Sequence, residues 1–177
     1  KRTLLIVGVG LSRVYKWLSI SFVLVVLDQW SKQVVVNAMV LGERIQVFSY
    51  FSWVRWHNEG AAFSFLSDAG GWQRWFFIVL AIGFVSFLTL ELLRLGKKGS
   101  LLHFAYAAII GGALGNMIDR LMQGYVVDFI LLHYEKYYFP AFNIADSALS
   151  VGAFCWALLP VKEALRERAL CSKEQSN

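Results

Sequence analysis

Four long apolar stretches punctuate the chain, roughly Val14–Val36, Trp72–Leu95, Leu101–Met122 and Ile144–Val161. A helix needs about 20 mostly apolar residues to cross a bilayer, so the pattern predicts four spanning helices. The last stretch is short, and its flanks extend it. Between the first two, "RIQVFSYFSWVRWHN" mixes β-branched and aromatic residues in weak alternation, the composition of one or two short strands. "YVVDFILLHY", after the third stretch, has the same character. Together they predict a small antiparallel sheet. "GAAFSFL" alternates small and bulky apolar residues and is expected to lie along the membrane surface as a short interfacial helix.

Composition turns this pattern into a class. The 177 residues are one domain's worth, residues 1–177, and are 58% hydrophobic but only 16% charged. A soluble domain carries roughly 25% charged and roughly 45–50% apolar residues. The chain has too little polar surface to cover itself in water. The expected fold class is therefore an α-helical integral membrane protein.

Charge then sets orientation. A net charge of +5 invites a nucleic-acid partner, but the basic residues sit in short segments beside apolar runs, with no nucleic-acid motif around them. Eleven of the seventeen Lys and Arg residues fall in the N-terminal segment up to Lys16, in "RLGKKGS" between the second and third stretches, or after the fourth. The positive-inside rule puts these three segments in the cytoplasm. Residues 37–71 and 123–143 then face outward. Trp72, Trp75, Tyr137 and Tyr138 fall at the outer boundary, where an aromatic belt is expected. "TLLIVGVGL" mimics a signal peptide, but Arg13 and Lys16 interrupt it and no small-residue cleavage site follows, so a retained lead-in is expected. Cys155 and Cys171 form neither a CxxC site nor an expected disulfide.

Carboxylates inside apolar segments are functional candidates, because each is expensive in lipid. Asp28, Asp119, Asp128 and Asp146 all fall near one level, the outer interface. Asp28 and Lys32 have the i,i+4 spacing of an ion pair. Asn143 has the position of a helix cap, with Asp146 at N3 facing the positive end of the dipole. Asp119 lies near a helix end where the dipole disfavours it, and Arg120 is free to hold a neighbour such as Asp28 or Asn58. Asp128 stands alone among Val126, Val127, Phe129 and Ile130, where desolvation raises a carboxyl pKa. Two carboxylates in such a site share one proton and do acid–base work on an amide without a metal or cofactor. No HExxH, GxSxG or Walker A motif competes, and His57, His103 and His133 have no ligand spacing. Gly111, Gly112, Ala113 and Gly115 give the third helix a smooth face, for close helix packing or for a substrate groove.

Six blocks carry a resemblance to a known family: "LDQWSK", "HNEGAAFSFL", "GWQRWFF", "GGALGNMIDRL", "GYVVDFI" and "FPAFNIADSA", in order along nearly the whole chain. The sequence resembles the signal peptidase II family, bacterial membrane aspartic peptidases that process lipoproteins. The resemblance implies four helices in the bacterial cytoplasmic membrane, a β-cradle on the outer face, and cleavage of diacylglyceryl-modified prolipoproteins immediately before the lipidated cysteine. It implies a catalytic dyad at Asp128 and Asp146, supported by Asp28, Asn58, Asn116, Asp119, Arg120 and Asn143. It implies no cofactor or metal. Expected partners are prolipoprotein substrates and membrane lipids, and no interface motif marks the chain as other than a monomer. "GAAFSFL" is placed as a lid over the dyad.

Two other classes compete. A proton-coupled transporter also buries carboxylates, but it carries polar residues through the full membrane depth. Here the inner halves of the second and fourth stretches are almost wholly apolar. A non-catalytic assembly factor with a structural polar cluster is separated only by the six blocks.

Overall fold

The computed structural model describes residues 2–60, 71–95 and 100–174, with side chains described over 14–60, 71–95 and 100–162 and at 164 and 168. The apolar stretches form helices α1 (Arg2–Ala38), α2 (Trp72–Arg94), α3 (Ser100–Met122) and α4 (Ile144–Glu174). Each contains a segment long and apolar enough to span a membrane, at Val14–Ala38, Trp72–Arg94, Ser100–Met122 and Ile144–Lys162. α1 and α4 run well past the apolar stretches. In α4 the polar continuation "KEALRERAL" consists of strong helix formers, and Pro160 sits within the helix without ending it. The expected interfacial helix and lid, residues 60–66, lie outside the described residues except for Gly60.

α3 is the central helix. Of its most apolar window 61% is buried inside the molecule, against 22% in α1 and 17% in both α2 and α4. Its small residues explain how it can be flanked so closely. A Cβ on Gly111 would stand 2.9 Å from the Ser21 carbonyl oxygen of α1, and one on Gly112 would collide with Ala145 O and Leu149 of α4. A Cβ on Gly115 would stand 2.7 Å from Asp28 Oδ2, and one on Gly152 of α4 2.8 Å from Ala105 O of α3. The Ser21 hydroxyl donates to Ala107 O at 2.7 Å across the same seam. Contact without intervening side chains is how helices associate where lipid offers no hydrophobic drive. The smooth face is thus taken up by α1 and α4 at these glycines, and is not an open groove there.

At one end of the bundle Val14, Leu88, Leu92, Leu95, Tyr106, Ile109 and Ile110 form an apolar core between α1, α2 and α3. The opposite end carries a four-stranded sheet, β1 (Arg44–Phe48), β2 (Phe51–Asn58), β3 (Val126–Tyr134) and β4 (Tyr137–Tyr138), antiparallel in the order β1-β2-β3-β4. Arg55 ties the sheet to the bundle, its Nη1 donating to Val36 O (3.0 Å) and Met39 O (2.8 Å) at the end of α1. This meets the carbonyls that a helix C-terminus leaves without intrahelical donors. Gly124, at φ +90°, turns the chain from α3 into β3 within three residues. That short turn brings the α3 terminus and the first residues of β3 side by side.

Candidate active site

β3 begins buried on both faces. Val126, Val127, Asp128 and Phe129 are all buried, and in–out alternation sets in only from Leu131. Its partner β2 pairs Trp56 with Asp128 and Asn58 with Val126. Asn58 and Asp128 therefore lie diagonally on one face of the ladder, within side-chain reach. The Asn58 amide donates to Asp128 Oδ2 at 3.0 Å. On the other side, the Phe129 and Ile130 amides donate to Phe142 O, and the Phe142 amide donates back to Ile130 O. This fixes the residue just before Asn143 against β3.

Asn143 is fully buried and joins three elements. Its Nδ2 donates to Asp128 Oδ1 at 2.8 Å. Its Oδ1 accepts from the Asp146 amide at 2.9 Å, while its own amide donates to Asp146 Oδ2 at 3.3 Å. That is the reciprocal geometry of a capping box, with Asn and Asp in place of the usual Ser/Thr and Glu. The residue capping α4 thus also holds the two carboxylates of Asp128 and Asp146 on either side of itself. The Ala145 amide, also in the first turn, donates to Asp28 Oδ1 of α1 at 2.8 Å. The positive end of α4 faces both acids.

Beneath this pair lies a buried ion cluster. Lys32, 3% exposed, reaches Asp28 Oδ2 at 2.7 Å, Asp119 Oδ2 at 2.9 Å and Asn116 Oδ1 at 3.0 Å. Asn116 in turn donates to Asp146 Oδ1 at 2.7 Å and accepts from Asn143 Nδ2 at 3.3 Å. The i,i+4 pair expected between Asp28 and Lys32 forms, and Lys32 also supplies the counter-charge that Asp119 needs near the end of α3. Asp119 further accepts from the Val127 amide at 3.3 Å. Removing one member of such a cluster leaves a buried charge without its partner, which costs about 3–5 kcal/mol.

Arg120 differs from the expectation. It contacts neither Asp28 nor Asn58 but donates to Gly60 O (3.2 Å) and Asn116 O (3.4 Å), and its guanidinium lies 4.9 Å from the Phe77 ring centroid. It remains in electrostatic range of Asp146, Asp128 and Asp119. All eight candidate residues (Asp28, Asn58, Asn116, Asp119, Arg120, Asp128, Asn143 and Asp146) meet in one connected network. The sequence reading missed Gln29, whose amide donates to Asp119 Oδ1 (2.7 Å), Gly115 O (3.1 Å) and Asp28 Oδ2 (3.3 Å). It also missed Lys32 as more than the partner of Asp28. The signal was present in "DQWSK", where four polar side chains occupy little more than one turn of an apolar helix.

Electrostatically, Asp128 stands out. Its carboxyl is pushed up to about 7, first by burial and then by the charge of Asp146, against hydrogen bonds from Asn58 and Asn143 and the Lys32 charge. A carboxyl near 7 beside a second one is suited to holding a shared proton at neutral pH. His57 is not part of this pair. It stacks on Tyr125 with centroids 3.6 Å apart, and burial lowers its pKa. Among the described residues no group of three or more His, Cys, Asp and Glu is arranged to hold a metal ion.

Comparison with known proteins agrees with this geometry. The family model described as signal peptidase (SPase) II matches residues 20–161, a span that contains every residue of the network. A lipoprotein signal peptidase of Acinetobacter baumannii (strain SDF) is 54% identical over 137 residues, covering 77% of each chain. One from Pseudomonas syringae pv. tomato (strain ATCC BAA-871 / DC3000) is 49% identical over 144 residues, covering 80% of this chain and 83% of the relative. Among solved structures, a bacterial membrane enzyme determined by the in meso method at 2.3 Å resolution superposes with a TM-score of 0.76 at 30% identity, over 84% of this chain and 89% of that one. A second, at 1.9 Å resolution, gives a TM-score of 0.70 at 32% identity, over 81% and 92%. With four spanning helices, an antiparallel sheet at one end and a buried aspartate network between them, the chain belongs to the signal peptidase II family.

Proposed function

We propose that the protein is an aspartic endopeptidase that removes the signal peptide of diacylglyceryl-modified prolipoproteins, cutting immediately before the lipidated cysteine, with Asp128 and Asp146 as the catalytic dyad. The observation that carries this reading is Asn143, which contacts both carboxylates and sets them as a pair in a buried site. The substrate class follows from the relatives, which are named lipoprotein signal peptidases.

The chemistry uses one proton shared by the dyad. The ionised carboxylate takes a proton from a water molecule as it attacks the scissile carbonyl carbon. The protonated partner donates to the carbonyl oxygen, and the proton gained from water then passes to the leaving nitrogen. Asn58, Asn116 and Asn143 hold the carboxylate oxygens in place. Arg120 offers a positive charge to the developing oxyanion or to substrate backbone carbonyls. Asp28, Lys32 and Asp119 act one layer out, fixing α1, α3 and the first turn of α4 relative to one another.

The orientation that serves this reaction has both termini in the cytoplasm and the sheet end at the outer face of the bacterial cytoplasmic membrane. The distribution of Lys and Arg supports it. The chain is taken to act as a monomer, since no interface motif marks it as anything else.

The test is conservative substitution. Asp128→Asn and Asp146→Asn, each purified as a folded membrane protein, should lose cleavage of a lipidated precursor by at least about 10³-fold. Near-normal turnover by either variant would remove it from the dyad.

A further inference from the structure

The sheet carries a second cluster away from the aspartate network. Arg44 donates through Nε to Ser52 Oγ (3.1 Å), through Nη1 to Tyr138 Oη (3.3 Å) and through Nη2 to His133 Nε2 (3.1 Å), and it stacks 5.1 Å from the Tyr138 ring centroid. A guanidinium has only donors, so His133 receives it on an unprotonated nitrogen, and all three acceptors are neutral. Ser52 and His133 behind it are 0% and 7% exposed, so the guanidinium is held rather than loose. Three of its five N–H groups are used in these bonds. Among the described residues no carboxylate forms an ion pair with it.

Arg44 opens onto a depression of about 630 Å³ lined also by Gln46, Tyr50, His133, Glu135 and Tyr138. Glu135 lines the same space without an ion pair to Arg44, in the tight turn between β3 and β4 with φ at +51°. Two opposite charges therefore face one cavity without neutralising each other. Around it Phe48, Tyr50, Tyr134, Tyr137 and Tyr138 are 55–70% exposed. Such a ring of aromatics in a membrane protein belongs at headgroup level.

We propose that this depression binds the headgroup of a zwitterionic phospholipid carrying a primary ammonium, its phosphate on Arg44 and its ammonium on Glu135. The free guanidinium N–H groups suit a phosphate, which accepts from Arg in paired bonds. The carboxylate suits the amine. The aromatic rim packs against the glycerol and the first methylenes of the chains. A purely anionic lipid leaves Glu135 facing a like charge, and a soluble phosphate leaves the rim without a partner.

The experiment is native mass spectrometry of the full chain in mild detergent, with equimolar phosphatidylethanolamine and phosphatidylglycerol added. Wild type should retain phosphatidylethanolamine over phosphatidylglycerol by roughly tenfold, the yield of one charge-assisted hydrogen bond. Arg44→Gln should lose both lipids. Glu135→Gln lies on an exposed turn, leaves the Ser52 and His133 contacts intact, and should abolish the preference while keeping phosphatidylglycerol. Both variants should cleave precursor normally in detergent, which separates this site from the dyad. An unchanged preference in Glu135→Gln overturns the proposal. So does binding of soluble glycerophosphoethanolamine as tight as that of the lipid, since the acyl chains would then contribute nothing.

Discussion

Asp128 sits near 7 because β3 is buried on both faces at its start and Asp146 lies beside it. The sign of the pH dependence follows. Below that value the pair keeps its shared proton, and above it the proton that the carbonyl oxygen needs is lost. The kcat/KM on a lipidated precursor should therefore fall along an alkaline limb with an apparent pKa near 7, a property of the pair rather than of one residue. A pH–rate profile flat from 6 to 9 would contradict the coupling. Because the folded-state pKa is raised above 3.8, the same linkage lowers folded stability as pH rises through about 7. Asp128 was legible in the sequence because a lone carboxylate among Val126, Val127, Phe129 and Ile130 has no bland explanation. Asp146 was ambiguous, being a plausible cap residue, and the structure shows that cap and carboxylate pair share Asn143. Gln29 was passed over although "DQWSK" crowds polar side chains into little more than one turn, because a neutral amide costs less to desolvate than the charges beside it.

At the scale of elements, the helices were readable from the length of their apolar stretches and the strands from their β-branched and aromatic composition. Helix ends were not: the extension of α4 is polar but made of good helix formers, and that of α1, "RTLLIVGVGLSR", carries Gly8, Gly10 and Arg13 without ending the helix. Nor could spacing decide between packing and groove for the α3 glycines, since small residues serve both. Gly111 and Gly112 lie against backbone and Gly115 against the Asp28 carboxylate, which makes a sharp prediction. Gly112→Ala should destabilise the detergent-solubilised protein by about 1–3 kcal/mol, because its new Cβ meets Ala145 O and Leu149 of α4. Gly83→Ala, whose Cβ meets nothing within 4 Å, should be neutral or stabilise by up to about 1 kcal/mol. Chemical unfolding of both variants against wild type measures the difference. Equal effects would mean that the α3–α4 seam relaxes freely.

On the proposed function, the substrate reaches the site through the bilayer, and the outer surface of the bundle suits that route. Most large apolar side chains on α1, α2 and α4 face outward, Val79, Phe87, Phe154 and Trp156 among them, while the carboxylate pair is at the end where helices give way to sheet. A precursor with its diacylglyceryl group is held at that level by its chains, each buried methylene contributing about 0.8 kcal/mol. One without the group should show kcat/KM lower by at least about tenfold, measured in the same vesicles. Equal cleavage of both forms would mean that the lipid has no part in presentation. Burial of the charged cluster bears on how the chain is made. Asp28 and Lys32 face each other one turn apart on α1, so the first helix enters the membrane as an internally neutralised segment. Asp119 and Asn116, synthesised some eighty residues later, then meet an ammonium already in place, and α3 gains its counter-charge by docking rather than by remaining at the water boundary. The ion pair inside one helix is, in biogenesis, a receptor waiting for the next.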